Sequence, residues 1–118
     1  MICYKLLMNM LRAIIISLAL MLPAIMTAKE SYVIQDSPDG PCLVKWIGKE
    51  SVVDFNRSLA LRSVKVIGEM VFEMNNHIRK VLLPEGLTII RKRAFNTCEN
   101  LVTVEMPSSV KEIGNSAF

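Results

Sequence analysis

Histidine occurs once in this chain, at His77, and tryptophan once, at Trp46. That scarcity removes most catalytic chemistry at the outset. A single histidine with no partner base or nucleophile forms no triad, and His77 stands beside Asn75 and Asn76, which reads as a surface turn. The sequence holds no HExxH, GxSxG, CxxC pair or glycine-rich phosphate loop. Asp36 and Asp39 lie in the segment Asp36-Ser-Pro-Asp-Gly40, which is turn chemistry, and a calcium site there would need more oxygen ligands than are present. Only five glycines and five prolines occur in 118 residues, which excludes a collagen-like repeat and Pro-rich low complexity. The net charge is +3, too slight to argue for nucleic acid as a partner. A chain that is 52% hydrophobic is also not intrinsically disordered. No catalytic, cofactor or metal site is expected, and the chain reads as a non-enzyme.

What is present divides at Ala28. Residues 1–28 carry only two charges, Lys5 and Arg12, and run without charge from Ala13 to Ala28. A basic start, an apolar stretch, Pro23 and a small residue at Ala28 have the form of a secretory signal peptide. The apolar run is shorter than the ~20 residues of a spanning helix, although a retained anchor is the alternative. Removal of this segment takes Lys5, Arg12 and Cys3 with it. The remainder has 12 Lys+Arg against 11 Asp+Glu and is close to neutral. Cys42, Cys98 and His77 are then too few for a four-ligand Cys/His zinc site. Membrane contact is expected only through the signal segment. Exported chains can form disulfides, but Cys98 is expected as a buried free thiol because of the repeat it occupies.

That repeat has a period of 23 residues. Ile67, Ile90 and Ile113 recur at this spacing, as do Phe72, Phe95 and Phe118. Pro84 recurs as Pro107 and Val81 as Val104. Apolar exchanges fill further columns: Ile78 with Leu101, Leu83 with Met106, and Leu87 with Val110. Polar positions vary freely between them. Retention of the apolar columns alone is the mark of a stacked solenoid, in which each column packs against its own copies.

One unit reads in pieces. Val104 and Met106 alternate with Thr103 and Glu105, a period of two that predicts a short strand. Pro107, which has no N–H to donate, ends it. Val110 and Ile113 form a second extended piece, Gly114 permits a bend, and Ala117–Phe118 begin a compact helical turn. In the preceding copy this turn runs from Arg93 to Cys98. The expected repeat core is Ile67, Phe72, Ile78, Val81, Leu83, Leu87, Ile90, Phe95, Cys98, Leu101, Val104, Met106, Val110, Ile113 and Phe118.

The residues from Leu101 to Phe118, LVTVEMPSSVKEIGNSAF, resemble the repeat of the BspA-like leucine-rich repeat family. The copy from Ile78 to Cys98 resembles it too, with Arg91 in place of the usual glycine, and the turn from Ile67 to Asn75 does so more weakly. The resemblance implies an α/β solenoid of short strands and short helical turns. It also implies an exported or cell-surface protein with an adhesive or protein-binding role and no catalytic residues.

The resulting expectation is a signal peptide at 1–28, an N-terminal cap with a β-hairpin at 29–63 and a repeat array at 64–118. The hairpin is expected within Cys42–Phe55, turning at Gly48-Lys49, with residues 56–63 as an insertion. The array stops in mid-coil, so a longer array is expected. Partners are expected to be host, matrix or neighbouring-cell proteins. The candidate binding residues are those pointing outward from adjacent strands, Lys80 beside Thr103 and Leu82 beside Glu105. The alternative is a non-catalytic spacer that holds an effector or anchor. Arg91-Lys-Arg93, the densest basic run, reads as a solvated turn in preference to a patch for acidic glycans. Asn56-Arg-Ser58 fits a glycosylation sequon.

Overall fold

A computed structural model describes residues 31–118; the expected signal peptide, residues 1–28, lies outside them. Strand β1 (Tyr32–Ser37) turns back into β2 (Gly40–Trp46), followed by β3 (Val52–Asp54), a 3-10 turn (Phe55–Arg57) and helix α1 (Leu59–Arg62). The chain then alternates β4 (Val66–Ile67), β5 (Lys80–Leu82), β6 (Ile89–Ile90), β7 (Thr103–Glu105) and β8 (Glu112–Ile113). Two sheets result, in the orders β1-β2-β4-β6-β8 and β3-β5-β7. Every pair is parallel except β1 with β2. Each coil thus gives one strand to each sheet. The fold is a β-solenoid of about three turns, an array of the leucine-rich-repeat type. Among the described residues no helix is long and apolar enough to cross a membrane.

Identical columns stack because parallel strands place equivalent residues side by side. Leu43 pairs with Ile67, Ile67 with Ile90, and Ile90 with Ile113. On the other sheet Val53, Val81 and Val104 form the matching column. Between the sheets the phenyl rings stack. Phe72 and Phe95 lie 4.8 Å apart at 6°, and Phe95 and Phe118 lie 5.2 Å apart at 4°. Trp46 extends the row in a tilted contact, 5.4 Å from Phe72 at 45°, and Tyr32 stacks on Trp46 at 5.8 Å. Offset-stacked rings at such distances add to the stabilisation gained from burying their area.

The core contains Ile67, Phe72, Ile78, Val81, Leu83, Leu87, Ile90 and Phe95, all buried. Cys98, Leu101, Val104 and Val110 are half-buried against it. Met106, Ile113 and Phe118, expected inside, are 41%, 54% and 52% exposed. The reason is stacking: β8 is an edge strand that pairs only with β6, and β7 likewise pairs only with β5. Their coil is covered on one side.

The first coil differs from the expectation. Gly48-Lys49 does not turn a hairpin, because β2 and β3 belong to different sheets. The hairpin lies earlier, between β1 and β2, and its turn is the Ser37-Pro-Asp-Gly40 segment, where Ser37 Oγ donates to Gly40 O at 2.6 Å. Residues 42–54 therefore already form part of the solenoid. The surplus residues after β3 form the 3-10 turn and α1. The Asp54 carboxylate accepts from Asn56 N at 2.8 Å, and Ser58 Oγ accepts from Leu61 N at 3.2 Å, so both short elements are N-capped. Phe55 and Leu61, both fully buried, anchor this insertion to the core.

The compact segments expected as helical are turns. Met70, Met74, Arg93, Thr97 and Ser116 take φ between 54° and 58°, and each left-handed residue breaks helical continuation. Gly114 has a different role from the bend first read into it. A Cβ there would lie 2.5 Å from Lys92 N and 2.8 Å from Arg91 C, and one at Gly68 would lie 2.7 Å from Leu43 O. These glycines let one coil's backbone approach the next.

Candidate interaction face

The β3-β5-β7 sheet presents two outward columns. One runs Val52, Lys80, Thr103 and the other Asp54, Leu82, Glu105. The alternation of strand side chains turns Val53, Val81 and Val104 inward and leaves these six outward. The register places Lys80 beside Thr103 and Leu82 beside Glu105. Thr103 and Glu105 are exposed, whereas Lys80 and Leu82 are half-buried between neighbouring strands. Lys80 Nζ lies 2.8 Å from Glu105 Oε1, an ion pair across the two columns.

Val52 and Asp54 join this face although the 23-residue period does not reach them. Val81 follows Val53 by 28 positions, whereas Val104 follows Val81 by 23. The insertion after β3 hides them from self-comparison. The readable signal was the apolar Val53 between Val52 and Asp54. At the carboxyl ends of these strands lies a shallow cleft of about 260 Å³, lined by Asn56, Leu83, Glu85, Glu105, Met106 and Pro107.

The remaining candidates settle into structural roles. His77 is exposed, and its backbone N–H donates to Asn75 Oδ1 at 3.0 Å, closing a turn. Arg91 pairs with Asp39 at 3.2 Å and Arg93 pairs with Glu73. Two of the three cations in the basic run are thereby engaged. Asn56 of the sequon is exposed in the middle of the 3-10 turn. Among the described residues no group of His, Cys, Asp and Glu is placed to hold a metal.

Cys42 and Cys98 are both free thiols. Burial raises the Cys98 thiol above its ordinary range, opposed in part by the hydrogen bond from the Asn75 backbone. Its S–H donates to Phe72 O at 2.9 Å. Burial raises Cys42 as well, opposed by the nearby charge of Arg91. Neither environment creates the thiolate that a reactive cysteine needs.

Comparison with known proteins adds a family and a fold. The family model described as BspA type leucine rich repeat region (6 copies) matches residues 54–118. Among solved structures, the crystal structure of a leucine rich repeat protein of T. pallidum is similar at 24% identity with a TM-score of 0.65. The alignment covers 74% of this chain and 42% of that one. No curated protein matches the chain significantly.

Proposed function

The chain belongs to the BspA-type leucine-rich repeat family, and from that membership we propose that it is an exported module that binds proteins and mediates adhesion at the cell surface. Arrays of this family are protein-interaction modules and generally non-catalytic. The observation that carries the reading is the register of β3, β5 and β7. Six outward side chains stand in two ordered columns on a rigid stacked scaffold. Solenoids use such extended faces for partners. The signal-like segment at 1–28 supports export, with a cap before the regular array at 64–118. Host, matrix or neighbouring-cell proteins are the partner class that an exported adhesive array serves.

The test is joint substitution of Lys80, Leu82, Thr103 and Glu105 by alanine in the full chain. Binding to intact cells and to extracellular-matrix coats is expected to fall while the melting transition is retained. Unchanged binding refutes this face and favours the spacer reading, in which the array only holds another element at a distance.

A further inference from the structure

We propose that the β3-β5-β7 face recognises a partner segment that offers a lysine or arginine side chain beside an apolar one. This rests on the protein-binding reading above and names the chemistry of the partner. The argument begins with how charge is spent on the face. Its cation, Lys80, is held by Glu105 at 2.8 Å. Glu85, at the mouth of the cleft, is exposed and has no cation within 4.0 Å among the described residues. Asp54, in the same column as Leu82 and Glu105, uses one oxygen to accept from Asn56 N and has no ion-pair partner among the described residues. The carboxyl ends of the strands thus carry three carboxylates, Asp54, Glu85 and Glu105, near two cations: Lys80, engaged by Glu105, and Lys65, whose ammonium lies against Gly86 without pairing with Glu85.

The apolar part is adjacent. Leu82 lies between Asp54 and Glu105 in the register. Met106 is 41% exposed and lines the cleft with Leu83 and Pro107, while Val52 opens the other column at 46% exposure. A long basic side chain suits this combination, because its methylene stem covers apolar surface while its charged head stays at the carboxylates. The half-exposed pair Lys80–Glu105 is weakly held, so Glu105 can accept the incoming cation alongside Glu85. An acidic segment would meet like charge and be turned away. Arginine adds a planar fork able to bridge two carboxylates.

The experiment is an NMR titration of the full chain with two end-capped peptides, Thr-Leu-Arg-Leu-Thr and Thr-Leu-Glu-Leu-Thr. The arginine peptide is expected to shift Asn56, Leu83, Glu85, Glu105 and Met106, with weaker binding as salt rises. Glu85→Gln is expected to weaken that binding about threefold, and the glutamate peptide to leave these signals unmoved. Equal response to both peptides, or shifts confined to other residues, overturns the proposal. Two outcomes separate this inference from the reading beneath it. If cell binding is lost in the four-residue alanine variant but indifferent to Glu85→Gln, protein binding stands and the basic partner falls. If the alanine variant binds cells normally, both fall.

Discussion

Arg91 Nη2 lies 3.2 Å from Asp39 Oδ2, joining the third coil to the hairpin turn across the intervening strand β4. Arg91 stands where the neighbouring coils carry Gly68 and Gly114. Their backbone N–H groups continue one ladder: Gly68 N donates to Leu43 O, Arg91 N to Ile67 O and Gly114 N to Ile90 O. The departure from the repeat pattern thus places a side chain that ties the β1-β2 turn to the third coil. Both partners are about half exposed, so the tie is modest. In a double-mutant cycle of Arg91→Gln with Asp39→Asn, the coupling is expected to be below about 1 kcal/mol. Denaturant unfolding measures it, and a much larger coupling would mean the hairpin depends on this contact.

The aromatic stack predicts unequal costs along its length. Phe95 is buried between two rings and Phe118 is half exposed with one. Phe95→Ala is expected to cost about 3–5 kcal/mol. Phe118→Ala is expected to cost less than half of that, since much of its surface is already in water. Similar losses in urea unfolding would contradict the burial gradient.

Glycine replacements separate backbone crowding from side-chain crowding. At Gly68 a Cβ would meet the Leu43 carbonyl at 2.7 Å, and that oxygen belongs to a fixed strand. Gly68→Ala is therefore expected to lower stability by about 1–3 kcal/mol. At Gly48 the nearest atoms are the end of the Glu50 side chain, which can rotate away. Gly48→Ala is expected to stay within about 0.5 kcal/mol of the parent. Thermal melts of the two variants check the contrast.

The cysteines give a pH dependence. Burial raises both thiols above their unfolded values, so the folded state holds its thiol protons more tightly. Their contribution to stability is fully present below the ordinary thiol range. It is lost as pH rises through that range towards the higher folded values. Stability is expected to decline on that alkaline side, less so in Cys42→Ala/Cys98→Ala. Alkylation of Cys42 and Cys98 by iodoacetamide at pH 8, read residue by residue to set Cys3 apart, is expected to be slower in the folded chain than in denaturant. Equal rates would show the thiols to be open.

Much of the solenoid was legible because its physics is periodic. Each column from Ile67 to Ile113 repeats for the same reason, and the strand register followed from Val81 and Val104. The first coil was not legible by this means. Trp46 does there what phenylalanine does later, and an aromatic of different size defeats a search for identity. The hairpin was misplaced because Gly48-Lys49 and Ser37-Pro-Asp-Gly40 are both plausible turns. Which of them reverses a strand depends on which sheet the next strand joins, and that is settled by long-range packing. The left-handed residues Met70, Arg93 and Ser116 carry no local signature, since none is glycine. Met70 N donates to Lys92 O and Arg93 N to Asn115 O, so these two tie one coil to the next, whereas Ser116 takes the same conformation without such a bond.

The first coil also shows where an array of this kind accepts change. Between Leu43 and Val53 the path from one sheet to the other is four residues shorter than between Ile67 and Val81, and the return from Val53 to Ile67 is five longer than from Val81 to Ile90. The two departures nearly cancel, so the next coil begins in phase. The strands act as a thread of constant pitch, and the connections act as slack that can be moved from one side to the other. Loop exchange that conserves the total per coil should therefore reshape the flanks of the β3-β5-β7 face without shifting any rung of the ladder.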